Sequence, residues 1–156
     1  MEEIEDQPDA IVSKFLINAF TALVLFNTGA SHSYISRGFV DKYNLPTVAL
    51  KSPMLVSSPG AEYMASRGCY QLPVTIGRHV FPTELIVLES QGLDVTLGMD
   101  WLSMFEGNID CTSKSILLTT PEGKRIKYVS RHAPRRTQVN SLPGVVHEEV
   151  LVVKDY

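Results

Sequence analysis

At 156 residues, 44% hydrophobic and 20% charged, the chain has the size and composition of one globular domain with a real core. Its net charge of −3, from 17 acidic and 14 basic residues, offers no basic surface for nucleic acid. No run approaches the roughly 20 apolar residues that cross a bilayer, since the longest candidate, Phe15 to Phe26, is broken by Asn18 and Thr21.

The charge is unevenly spread. Residues 1–10 carry Glu2, Glu3, Glu5, Asp6 and Asp9 with no basic residue, and read as a disordered acidic leader that lacks the basic n-region of a secretory signal. Cys69 and Cys111 are far apart and match no metal spacing; a disulfide between them is one reading, and free thiols in a reducing, cytoplasmic setting are the favoured one. No metal or organic cofactor is expected.

In chain order, Ile11 to Asn18 reads as a first strand and Ala22 to Phe26 as a buried one, ending at the turn Asn27-Thr28-Gly29. The turn leads into the polar cluster Ser31-His32-Ser33. Ser36 to Tyr43 suits a short helix: Ser36 is a cap, Phe39, Val40 and Tyr43 share a face, and Asn44-Leu45-Pro46 stops it. Lys51–Val56 and Ala61–Gly68 form a hairpin about Ser57-Ser58-Pro59-Gly60 with little to bury, expected to project and move. Tyr70–Ile76 and Val80–Leu88 are further strands about Gly77-Arg78. Leu93 to Gly98 is a strand that runs into a short amphipathic helix, Met99 to Phe105. Asn108–Cys111, Ser115–Thr120 and Ile126–Val129 complete the pattern. Residues 131–156 read as a linker in which Val145–Val153 has edge-strand character. The fold class is all-β, mostly antiparallel, with one or two short helices.

A strand running through a Gly turn into a short helix occurs twice, at Leu25–Tyr43 and Leu97–Phe105, about seventy residues apart. Only the first copy carries a polar cluster. The sequence holds no Gly-rich phosphate loop, no His-x-Glu or Cys-x-x-Cys set and no basic–aromatic stripe. A Ser31–His32 dyad is not expected, because neighbours on an extended chain point to opposite faces.

Phe26-Asn-Thr-Gly-Ala-Ser31 resembles the Asp-Thr/Ser-Gly-Ala-Ser signature of the retropepsins, and Leu97-Gly-Met-Asp-Trp-Leu102 resembles their second, apolar-apolar-Gly motif. With Ser33-Tyr-Ile-Ser36 and Met54-Leu-Val-Ser-Ser58, the wording is similar to the protease segment of gypsy-type retrotransposon polyproteins of plants. The resemblance covers residues 11–130 and implies a retropepsin-like acid-protease fold, with 131–156 similar to the linker toward a downstream polyprotein domain. It implies a homodimer in which each chain contributes one turn, since two carboxylates must share one proton to hydrolyse a peptide. It also implies catalytic positions at Asn27, Thr28 and Gly29, with Thr28 tying the turns together. Peptide contacts are implied at Ala30, Ser31, His32 and the hairpin tip Ser58, Pro59, Gly60 and Ala61, and the substrate is a polyprotein in the cytoplasm or in virus-like particles.

The departure falls on the catalytic position. Asn27 stands where the resembled signature has aspartate, and an amide neither takes up nor gives a proton near neutral pH. The expectation is a domain that folds and dimerises without cleaving. The alternative is a non-catalytic module of the same fold that dimerises or holds peptides.

Overall fold

The computed structural model describes residues 10–58, 61–89, 93–130 and 149–152. The leader at 1–9, the tip residues Pro59 and Gly60, and residues 131–148 lie outside them. Eleven strands and two short helices are present among the described residues, in accord with the all-β expectation.

β1 (Ala10–Ile17) and β2 (Phe20–Asn27) form a hairpin whose register pairs Ala10 with Asn27 and Ile17 with Phe20. Asn18 and Ala19 both have positive φ, 52° and 78°. That is the conformation of a two-residue turn whose twist matches that of the strands it joins. β1 alternates cleanly, with Ile11, Phe15 and Ile17 buried and Lys14 and Leu16 exposed. β2 instead has consecutive buried residues from Val24 to Phe26, as suits a strand covered on both faces.

β3 (Tyr34–Ser36) leads into α1 (Arg37–Tyr43), which Ser36 caps by accepting from the Phe39 N–H at 3.1 Å. Asn44 closes α1 in the left-handed conformation. β4 (Val48–Ser58) and β5 (Ala61–Ile76) form the long hairpin, and β6 (His79–Leu88) returns after Gly77-Arg78. The sequence suggested separate strands at 61–68 and 70–76; they are one strand, β5, with an irregularity between Cys69 and Leu72 where Gln71 has φ 55°. The irregularity lets a single strand change neighbours along its length. Its first part, up to Gly68, pairs with β4; from Gly68 onward it pairs with β6, and Val74 and Thr75 pair also with β1.

β7 (Val95–Leu97) runs into α2 (Met99–Met104). The sheet order is β1-β2-β7-β3-β6-β5-β4, and the additional β1–β5 pairing curls it. Two pairings are parallel, β2–β7 and β3–β6, and they bring the two Gly-turn copies side by side at the middle of the sheet. A second sheet, in the order β11-β10-β9-β8, holds β8 (Asn108–Asp110), β9 (Ser115–Thr119), β10 (Arg125–Val129) and β11 (Glu149–Val152). The edge strand suggested within Val145–Val153 is thus present over 149–152, antiparallel to β10.

One core joins the two sheets. Trp101 of α2 packs against Phe26, Phe81 and Phe105 with ring centroids 4.9–5.7 Å apart, and its Nε1 donates to the buried Thr83 hydroxyl at 3.0 Å. Phe15 and Tyr128 pack edge to face at 4.9 Å, and the Tyr128 hydroxyl lies 2.7 Å from Ser13 Oγ, so the second sheet is pinned to β1. Cys69 is buried and Cys111 half-buried, neither is in a disulfide, and burial pushes the Cys69 thiol up, away from its reactive form.

The β4–β5 hairpin buries more than its composition suggested: Val56 and Ala65 are both buried. The cross-strand pair Leu55–Met64 on the other face stays open, 56% and 64% exposed.

Candidate active site

The site begins where β2 ends. Val24 and Phe26 point into the core, so alternation turns Leu25 and Asn27 to the opposite face. Asn27 is half-buried, and its backbone carbonyl accepts from the Ala30 N–H at 3.2 Å, closing a turn. Its side-chain Oδ1 accepts from the Gly29 N–H at 2.8 Å. An N–H can face only the oxygen of an amide, so this bond fixes which way the side chain is turned. A Cβ on Gly29 would sit 3.2 Å from that same Oδ1, so glycine keeps the contact unstrained.

The turn is held from below by the second Gly-turn copy. Met99 N–H donates to the Ala30 carbonyl at 2.7 Å and Asp100 N–H to the Ser31 carbonyl at 3.2 Å. Ser33 Oγ, buried, accepts from the Gly98 N–H at 2.9 Å and donates to Asp100 Oδ1 at 2.6 Å. The same carboxylate oxygen accepts from the Trp101 N–H at 2.6 Å. Gly98 is the residue that lets the segments meet: a Cβ there would strike the His32 carbonyl oxygen and lie 2.6 Å from that of Ala30. Both obstacles are backbone and cannot swing away.

The register also defines a surface beside Asn27. Leu25 pairs with Thr96, Thr96 with Tyr34, and Tyr34 with Ile86, and paired residues project to the same face. Thr96, Tyr34 and Ile86 are half-buried, while their sequence neighbours Val95, Leu97, Ile35 and Leu85 are buried in the core. A mostly apolar row therefore lies open on the Asn27 face. The Tyr34 hydroxyl is held above its ordinary pKa, first by burial and then by the Asp100 charge.

The expected residues Asn27 to His32 form one continuous feature, but Ser31 and His32 differ from their reading. The chain bends at 31–32 rather than running extended, and Ser31 Oγ lies 3.2 Å from His32 Nδ1. This corrects the expectation that the two point apart, though the pair is exposed and no described carboxylate orients the imidazole. Thr28 is half-buried, and its hydroxyl has no partner among the described residues. Ser58 and Ala61 are the last pair of the β4–β5 ladder; Pro59 and Gly60 lie outside the described residues. Ser33, Tyr34, Ile86, Thr96, Gly98 and Asp100 were not among the expected site residues. Ser33 and Asp100 were visible as polar members of the two motifs; what the sequence hides is that they meet across 67 positions.

A cavity of about 430 Å³ lies elsewhere, between α1 and β5, lined among others by Arg37, Asp41, Glu62, Arg67 and Glu89. It contains none of residues 27–33. Among the described residues no three His, Cys, Asp or Glu side chains cluster as a metal site would require. No helix among them is long and apolar enough to cross a membrane.

The two parallel pairings, the turn at the open end of β2 and the Gly-helix copy beneath it define a retropepsin-like acid-protease fold. The family model of the retroviral aspartyl protease matches residues 1–124, and the chain belongs to that family. Among solved structures, it is similar to the retroviral protease-like domain of Ddi1 from Leishmania major, with 16% identity over 69% of this chain and 86% of that one and a TM-score of 0.56. It is also similar to the EIAV protease complexed with the inhibitor HBY-793, with 17% identity over 67% and 92% of the two chains and a TM-score of 0.51. At these identities both likenesses speak for the fold. No curated protein matches the chain significantly.

Proposed function

We propose that this chain is the aspartic-endopeptidase domain of a retroelement polyprotein, of the gypsy type found in plants, in a form that does not cleave. Residues 11–130 are the protease domain, 1–10 an acidic leader and 131–156 the connection to a downstream polyprotein domain. The setting is cytoplasmic. The observation that carries the reading is Asn27: it occupies the end of β2, on the open face, followed by Thr28-Gly29 and strapped to the second motif.

The working form is a homodimer in which each chain supplies one turn across a two-fold axis. The Thr28 hydroxyl, without a partner among the described residues, ties the two turns together. With aspartate at position 27, two carboxylates would share one proton. One would take a proton from water as the water oxygen attacks the scissile carbonyl carbon, and the other would give its proton to the carbonyl oxygen. The tetrahedral species would then collapse, breaking the C–N bond as the amine is protonated. Ala30, Ser31, His32 and the hairpin tip Ser58–Ala61 bind the peptide backbone, and the row Thr96–Tyr34–Ile86 receives side chains. Asn27 supplies neither proton transfer, so the homodimer of this chain binds but does not hydrolyse.

The test is the Asn27→Asp change, assayed against a polyprotein fragment. Pepstatin-sensitive cleavage by Asn27→Asp and none by the parent supports the reading. A demonstrated Asn27→Asp dimer that leaves the fragment intact contradicts it and favours a second reading, a module that dimerises and holds peptides only. The missing carboxylate is the observation on which that second reading stands.

A further inference from the structure

We propose that the cavity between α1 and β5 is a second peptide site, separate from the Asn27 face, that takes an extended segment in which lysine or arginine alternates with apolar residues. None of residues 27–33 lines it, so the proposal stands apart from the reading of Asn27.

The cavity sits in a fork between two strands. β5 and β6 are paired from Ile76 and His79 to Gly68 and Ile86, and there their ladder stops. Gly68 stands at the crotch: a Cβ there would lie 3.0 Å from the Leu85 carbonyl oxygen, so glycine lets the strands touch just where they part. Beyond it, residues 62–67 pair with β4 along one edge, and no described strand follows the other. Val87 and Leu88 of β6 likewise pair with β3, and with no described strand on the side toward β5. In an antiparallel ladder, alternate residues turn both N–H and C=O away from the partner strand. Alternate residues of 62–67 therefore present unpaired donors and acceptors to the cavity, the template that an added strand completes. A volume of about 430 Å³ admits a few residues of extended chain.

The lining sets the side-chain pattern, because an added strand turns alternate side chains to opposite faces. Val40 and Ala65 are buried and Val87 and Leu88 half-buried, so one set of side chains meets apolar surface. At the exposed rim both cations are already engaged. Arg37 meets Glu89 at 2.9 Å and Asp41 at 3.6 Å, and Arg67 donates to Thr47, to Oγ1 at 2.8 Å and to the carbonyl at 3.0 Å. The Glu62 carboxylate is exposed and has no partner among the described residues. The charge left to complement at the rim is negative, which calls for a basic second set of side chains.

The experiment titrates the parent chain with a capped peptide of three Lys-Val repeats, followed by backbone amide NMR and hydrogen exchange. Controls are the same peptide with glutamate for lysine, and two N-methylated forms, blocked at every lysine nitrogen or at every valine nitrogen. Saturable binding of the lysine peptide is expected, with exchange protection gained at alternate amides of residues 62–67. All lysine N–H groups lie on one edge of an extended strand and all valine N–H groups on the other. One methylated form is therefore expected to lose about tenfold or more in affinity and the other much less. Glu62→Gln, at an exposed position, is expected to weaken the lysine peptide about two- to fivefold. No saturation by about 5 mM overturns the proposal. So do equal binding of the lysine and glutamate peptides, equal losses from the two methylated forms, an affinity unmoved by Glu62→Gln, or protection gained only at residues 27–34.

Discussion

The two Gly-turn copies share a plan and divide the work. In the first, β2 delivers Asn27 to the open face and Gly29 is exposed, its missing Cβ facing nothing nearer than the Asn27 side chain. In the second, β7 delivers Gly98 beneath the carbonyls of Ala30 and His32, and α2 drives Trp101 into the core. The parallel β2–β7 pairing sets them side by side, so one copy stands open and the other holds it in place. Because the second copy carries the packing, a substitution at position 27 is expected to leave the fold undisturbed.

Substitutions in each copy test this division. The largest effect is expected for Gly98→Ala, where the new methyl meets two fixed carbonyls: a loss of about 3 kcal/mol or more in a urea melt. A loss below about 1 kcal/mol would show that the 30–32 segment can move off the second copy at little cost. Ser33→Ala removes the acceptor of the buried Gly98 N–H and the donor to Asp100, and is expected to cost about 1–3 kcal/mol. Asp100→Asn should cost less, because the amide oxygen can still accept from Ser33 and Trp101; equal losses would show that the negative charge matters there. On the first copy, Gly29→Ala presses on a single side-chain oxygen at 3.2 Å and is expected to cost under about 1 kcal/mol.

The smallest effect is a pH slope. The folded state holds the Tyr34 phenol above its ordinary value, so the unfolded chain ionises first as pH passes about 10. The stability Tyr34 contributes is complete below that pH and is lost as pH rises toward the folded value. Tyr34→Phe should flatten that part of the alkaline unfolding curve, and an unchanged curve would assign the slope to other groups.

Much of this was legible in the sequence because it depends on local pattern. The alternation in β1, the Ser36 cap and Asn44 stop of α1, and the break after Phe26 each follow from residues close together in the chain. The single course of β5 was not legible, since Gly68 and the irregularity at Gln71 look like a strand end, and only the change of neighbours from β4 to β1 explains them. The bend that joins Ser31 to His32 was missed because extended geometry was assumed past the turn. The Ser33–Asp100 clasp is a contact between distant segments, and no local pattern reports a distant pairing.

The central claim is that position 27 is a carboxylate position occupied by an amide. The most direct measurement is the pH–rate profile of peptide cleavage for Asn27→Asp beside the parent chain. Two carboxylates sharing a proton predict an acidic bell for Asn27→Asp, reporting the pair rather than either residue, and no turnover by the parent at any pH. A dimeric Asn27→Asp protein without activity, or a parent chain that cleaves with the same profile, would contradict the account.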